Sequence, residues 1–137
     1  MFQGRYTRWN PIQALGGKRM FCEAVHDDWE GFRIWLRPDT AVGAMVIVSF
    51  STVLYYGNSL EGRRLAAVSN ASEMQFPHVF WIVEESALVT EFKRQAAGTA
   101  DTLEITHYAF LSSTDCIDVL ATMPPRFEVS GEEAMVE

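Results

Sequence analysis

Alternation of apolar and polar residues runs through much of the chain. Phe32, Ile34 and Leu36 interleave with Arg33, Trp35 and Arg37, the period of two expected of a half-buried strand. Residues 19–25 are predicted to pair with it, and Pro38-Asp39-Thr40 supplies turn chemistry. The pattern returns from Ala44 to Tyr56, where Val46, Val48, Phe50, Leu54 and Tyr56 share one face. The other face opens apolar at Met45 and Ile47 and turns polar at Ser49 and Ser51, as in a strand buried on both sides only at its start. Gly57-Asn58 ends this element, and a second, short helix is predicted at 59–67, weakened by Gly62.

His78 to Val83, rich in aromatic and β-branched residues, reads as a further strand behind Pro77. One helix is fully punctuated, over residues 86–97. Ser86 fits its N-cap, Leu88, Val89, Phe92 and Ala96 its apolar stripe, and Gly98 its C-terminal cap. Thr102 to Leu111 alternates again, with His107 on the face of Leu103, Ile105, Ala109 and Leu111. Ser112 to Asp115 is a turn, and Cys116 to Ala121 suits a strand or a helix equally. Residues 1–18 are expected to form an irregular arm, broken by Pro11 and Gly16-Gly17, and residues 127–137 a frayed acidic tail. The sum is a single α+β domain. It is mainly antiparallel, with five or six strands in one layer and the helix packed against it.

Charge changes the picture of what such a domain meets. The net charge of −7 divides into +4 for residues 1–20 and −11 for the remainder. A surface that acidic repels phosphate backbones, so no nucleic-acid partner is expected. The longest apolar stretch, Ala44 to Val48, is far short of a membrane span, and no membrane partner is expected either. Cys22 and Cys116 stand far apart without CxxC or other metal-ligand spacing, and they read as small hydrophobes in a reducing cytoplasm.

Candidate chemistry concentrates between residues 26 and 37. His26, Asp27, Asp28 and Glu30 surround Trp29 at a predicted loop, where imidazole and carboxylates can share a proton or ligate a divalent ion. The plainer account is a polar turn. Arg33 and Arg37 flank Trp35 on one strand face, which joins charge, stacking and planar hydrogen bonding on one surface. Arg63 and Arg64 offer a second cationic cluster. His107, on an apolar face, is expected to be a hydrogen-bonded core residue. Patterns for nucleophile elbows, phosphate loops, dinucleotide folds and zinc helices are missing, and acids near Cys116 oppose thiolate formation.

The blocks HDDWEGFRIWL, EGRRL, FPHVFWIVEES and THYAFLSSTDCIDVL resemble segments of a family of small uncharacterised bacterial proteins of about this length. The resemblance covers most of residues 20–122. It implies no activity, and no catalytic residue follows from it. The expectation is a cytoplasmic binding or interaction domain without catalytic residues, metal or cofactor, of inhibitor or immunity type, with a protein partner of basic character. Its binding residues are His26, Asp27, Glu30, Arg33, Trp35, Arg37 and Arg63. Two alternatives stand beside it. One is a small-molecule binder or hydrolase-like enzyme using the His26–Glu30 loop with nearby arginines, and the other is a homo-oligomer whose main feature is its self-interface.

Overall fold

The computed structural model describes residues 2–12, 15, 18–39, 43–60, 78–113 and 115–131. Its central hairpin forms as the alternation demands. β2 (Met20–Asp28) pairs antiparallel with β3 (Gly31–Pro38), and β3 pairs with β4 (Met45–Phe50). Phe32, Ile34, Leu36, Val46, Val48 and Phe50 are all buried on one face. β9 (Arg126–Ser130) completes this four-stranded sheet beside β4.

The chain does not stay in one layer. After Phe50 it leaves the first sheet, and β5 (Tyr55–Leu60) joins a second, five-stranded sheet in the order β1-β6-β7-β8-β5. β1 is Arg5–Arg8, β6 Phe80–Glu84, β7 Thr106–Leu111 and β8 Asp115–Ala121. The two sheets press Phe80, Tyr108, Phe110, Ile117, Val119 and Ala121 against the apolar face of β3 and β4. Burying each large side chain here contributes about 1.5–3 kcal/mol, so this inter-sheet layer carries the fold. All strand pairings among the described residues are antiparallel, and the molecule is one α+β domain dominated by sheet.

Four sequence expectations change. Nine strands in two sheets replace five or six in one layer among the described residues. The expected irregular arm contains β1, whose four residues are too few to reveal a period. Tyr6 is buried there, and its hydroxyl donates to the Phe2 carbonyl at 2.8 Å. The expected tail begins as β9, because Phe127 and Val129 cover the sandwich edge while Arg126, Glu128 and Ser130 face out. Of the predicted 59–67 helix, Ser59 and Leu60 extend β5, and the rest lies outside the described residues, as do residues 132–137. Residues 116–121 are a strand.

The single helix among the described residues, α1 (Ala87–Gln95), starts where the sequence places it. Nine residues are too few for a stable isolated helix, so tertiary support is required. Ser86 caps it, its Oγ accepting the Val89 N–H at 3.1 Å, and Leu88 is its buried residue. The first helical N–H, of Ala87, donates to the Gln3 carbonyl at 2.9 Å, which ties α1 to the segment just before β1.

Candidate functional site

His26, Arg33, Trp35 and Arg37 share the outer surface of the four-stranded sheet. Register sets this: His26 stands opposite Arg33, Ala24 opposite Trp35 and Phe21 opposite Arg37. A bulge between Cys22 and Ala24 shifts the alternation of β2 by one residue, so that Cys22, opposite Leu36, and Val25, opposite Ile34, both face the core. Arg33 places one nitrogen 2.9 and 2.8 Å from the two Asp28 oxygens and another 3.9 Å from Glu30. Arg37 pairs through Nε with Glu23 and lies over the Phe21 ring at 4.8 Å. Trp35 meets the His26 ring edge-on at 5.8 Å. The Trp35 indole N–H and Arg33 Nε are shut off from solvent, without a partner among the described residues. This face is therefore tightly interlocked, with both β3 arginines already engaged by acids. Arg63 lies outside the described residues.

The expected polar loop at 26–30 is mostly strand. Asp28 pairs with Gly31, leaving Trp29 and Glu30 as a two-residue turn. The positive φ falls on Gly31 (106°), directly after the turn, and not on Trp29 or Glu30, as in a turn closed by a glycine bulge. The Asp28 carboxylate accepts the Glu30 N–H at 3.0 Å, closing the turn with a side chain. Trp29 takes no part in that closure and is 92% exposed.

Beside the turn, the open end of the sandwich holds a cavity of about 420 Å³, whose lining includes Asp27, Gly31, Phe32, Phe50, Tyr55 and Tyr56. Asp27 stands opposite Phe32, so its carboxylate occupies a core-facing position at the rim of the sheet. Phe32 meets the Tyr56 ring at a tilt with centroids 4.6 Å apart and the Phe50 ring edge-on at 6.0 Å; Phe32 and Phe50 are buried, and Tyr56 is exposed. His26, Glu30, Arg33, Trp35 and Arg37 are not in the lining. The structure thus divides the described site residues: Asp27 at the cavity, Glu30 in the turn beside it, and His26, Arg33, Trp35 and Arg37 on the sheet face.

Sequence reading missed a buried relay on the far side of the second sheet. Ser86 Oγ lies 2.7 Å from His107 Nδ1, and His107 Nε2 lies 2.7 Å from Asp118 Oδ1. The three are 7%, 1% and 1% exposed. A carboxylate only accepts, so the ring nitrogen facing Asp118 is the one that carries hydrogen, and Nδ1 takes the hydrogen of Ser86 Oγ, which itself accepts the Val89 N–H. Nε2 then carries the imidazole proton and donates to Asp118. Cys116 Sγ completes the set at 3.7 Å from Asp118 Oδ2, and burial first, then the Asp118 charge, pushes its thiol pKa far up.

The parts match a nucleophilic triad, but the imidazole is turned round relative to one, with the serine on Nδ1 and the aspartate on Nε2. The hydroxyl is also spent on the helix cap and closed to a substrate. The relay fastens α1 to β7 and β8. The only sequence signal was His107 on an apolar face, since Ser86 looked sufficient as a cap alone. Among the described residues no group of three or more His, Cys, Asp or Glu is placed to hold a metal ion. No helix there is long and apolar enough to cross a membrane.

A second buried imidazole gives a pH dependence. His78 Nε2 faces the Trp9 carbonyl at 2.9 Å, and burial lowers its pKa from 6.5, with Arg8 adding to the effect. Its hydrogen bonds to the Trp9 and Phe80 backbone pull the other way without reversing the shift. The unfolded chain therefore binds this proton first. Stability from His78 is fully present above pH 6.5 and is lost as pH falls through the lower folded value. Urea unfolding at several pH values should show that loss, and His78→Gln should flatten part of it. Parallel pH profiles for the two proteins would contradict the assignment.

Comparison with protein-family models, with curated proteins and with solved structures finds no match to this chain.

Proposed function

We propose that this domain is a cytoplasmic, non-enzymatic binding module that docks a basic protein partner through the end of the sandwich formed by the β2–β3 turn. The observation that carries the reading is Trp29. A tryptophan 92% exposed at the tip of a hairpin contributes nothing to the core and exposes a large apolar area. Tryptophan is among the residues that most often dominate binding energy when covered by a partner.

Its surroundings specify the sign of that partner. Asp27, Asp28 and Glu30 lie within two residues of Trp29, and Arg33 engages Asp28 and Glu30 but not Asp27. The net charge of −7 acts in the same direction over a longer range. Complementary fields of this kind speed encounter and discriminate against acidic partners. Inhibitor and immunity proteins that neutralise basic targets by direct contact use this physics, and we assign the chain to that class of action.

The test is affinity capture from native lysate, followed by calorimetry with each purified candidate. A basic protein that forms a stoichiometric complex, weakening steeply as salt rises, is the expected result. A partner that is acidic, or whose affinity ignores salt, would overturn the reading.

A further inference from the structure

Resting on that reading, we infer that the cavity beside Trp29 is a receptor for an arginine side chain of the partner. Asp27 carries the argument. Its register opposite Phe32 assigns it to the core-facing side of the sheet, a position that an apolar residue fills elsewhere on β3 and β4. Asp27 itself is exposed, so its carboxylate is open to a ligand at that rim. It lines a cavity of about 420 Å³ together with Phe32, Phe50 and Tyr56, and of these rings Tyr56 is the exposed one.

A carboxylate beside an exposed aromatic ring matches the chemistry of a guanidinium group. Its planar N–H groups pair with two carboxylate oxygens, and its delocalised charge lies over ring faces. An ammonium lacks the plane, so lysine fits the same site less well. A neutral urea group keeps the shape but loses the charge. Asp28 does not compete for the cation, because Arg33 already bridges both its oxygens. Tyr55 also lines the cavity. Its hydroxyl folds back over Gly57, where a Cβ would stand only 2.9 Å away.

The experiment titrates the intact chain with N-acetyl-arginine amide, following backbone amide resonances by NMR. N-acetyl-citrulline amide and N-acetyl-lysine amide serve as controls. Saturable shifts confined to Asp27, Gly31, Phe32 and Tyr56 are expected with arginine, with lysine weaker and citrulline silent. Asp27→Asn should weaken the arginine amide about tenfold. No saturable shift with arginine, or equal shifts with citrulline, would overturn the inference.

The two readings fail separately. If a basic partner binds and Asp27→Asn leaves its affinity unchanged, the arginine receptor is wrong and the docking end stands. If arginine amide saturates the cavity while only acidic proteins are captured, the receptor stands and the protein-docking reading fails.

Discussion

Asp118→Ala is expected to remove about 3 kcal/mol of folding stability, far more than any surface substitution in this chain. The reason is what the truncation leaves behind. His107 is 1% exposed and donates its Nε2 proton to Asp118 at 2.7 Å. Without the carboxylate, that N–H is stranded in the sheet interior, and the Cys116 thiol loses its nearest acceptor. A domain of this size has about 5–15 kcal/mol in total, so the loss should be plain in urea unfolding.

Two companion variants separate the physics. Asp118→Asn keeps an oxygen that can accept from Nε2 and should cost roughly 1 kcal/mol. The pair His107→Leu with Asp118→Leu removes both polar partners together and should recover much of the single-variant loss, because buried pairs contribute little beyond their mutual satisfaction. Equal stability of Asp118→Ala and Asp118→Asn would mean that the relay does not hold in solution as it does here.

The hairpin of β2 and β3 was legible because one face is buried and the other is not, so every second residue reports its side. The same logic misled at Ser51. Val46, Val48 and Phe50 are buried in the shared core, and Leu54 and Tyr56 carry the same spacing past the point where the chain changes sheets, but there Val53 packs on that core and Tyr56 is 39% exposed. An apolar spacing that runs on does not fix which strand or which face it belongs to. For that reason one continuous strand was expected where two pair with different neighbours.

The site divides along the same line. That Arg33, Trp35 and Arg37 share a surface follows from local period alone. That Ser86 meets His107 and Asp118 depends on pairing β6 with β7 and β7 with β8, which no local pattern encodes. Asp27 is intermediate. Its core-facing parity could be counted from Phe32 once the hairpin turn was known to hold two residues, but the cavity above it needs β5 from the other sheet.

Trp29→Ala is expected to weaken the partner complex about thirtyfold or more while leaving the unfolding midpoint unchanged. The first half follows from the energy a buried tryptophan anchor supplies, about 2 kcal/mol or more on truncation, at about 1.4 kcal/mol per factor of ten. The second half follows from the turn itself. Asp28 closes it through the Glu30 N–H, and Gly31 supplies the positive φ, so the hairpin does not depend on the indole. An exposed substitution of this kind stays within about 0.5 kcal/mol of wild type. Trp35→Ala should behave in the opposite way, because that indole is packed against His26 and its N–H is already enclosed. It should lower stability and leave the affinity of the remaining folded protein nearly intact. Calorimetric titration of both variants with the basic partner distinguishes the sandwich end from the sheet face. Full affinity in Trp29→Ala, with loss in a folded Trp35→Ala, would move the interface to the outer surface of the four-stranded sheet.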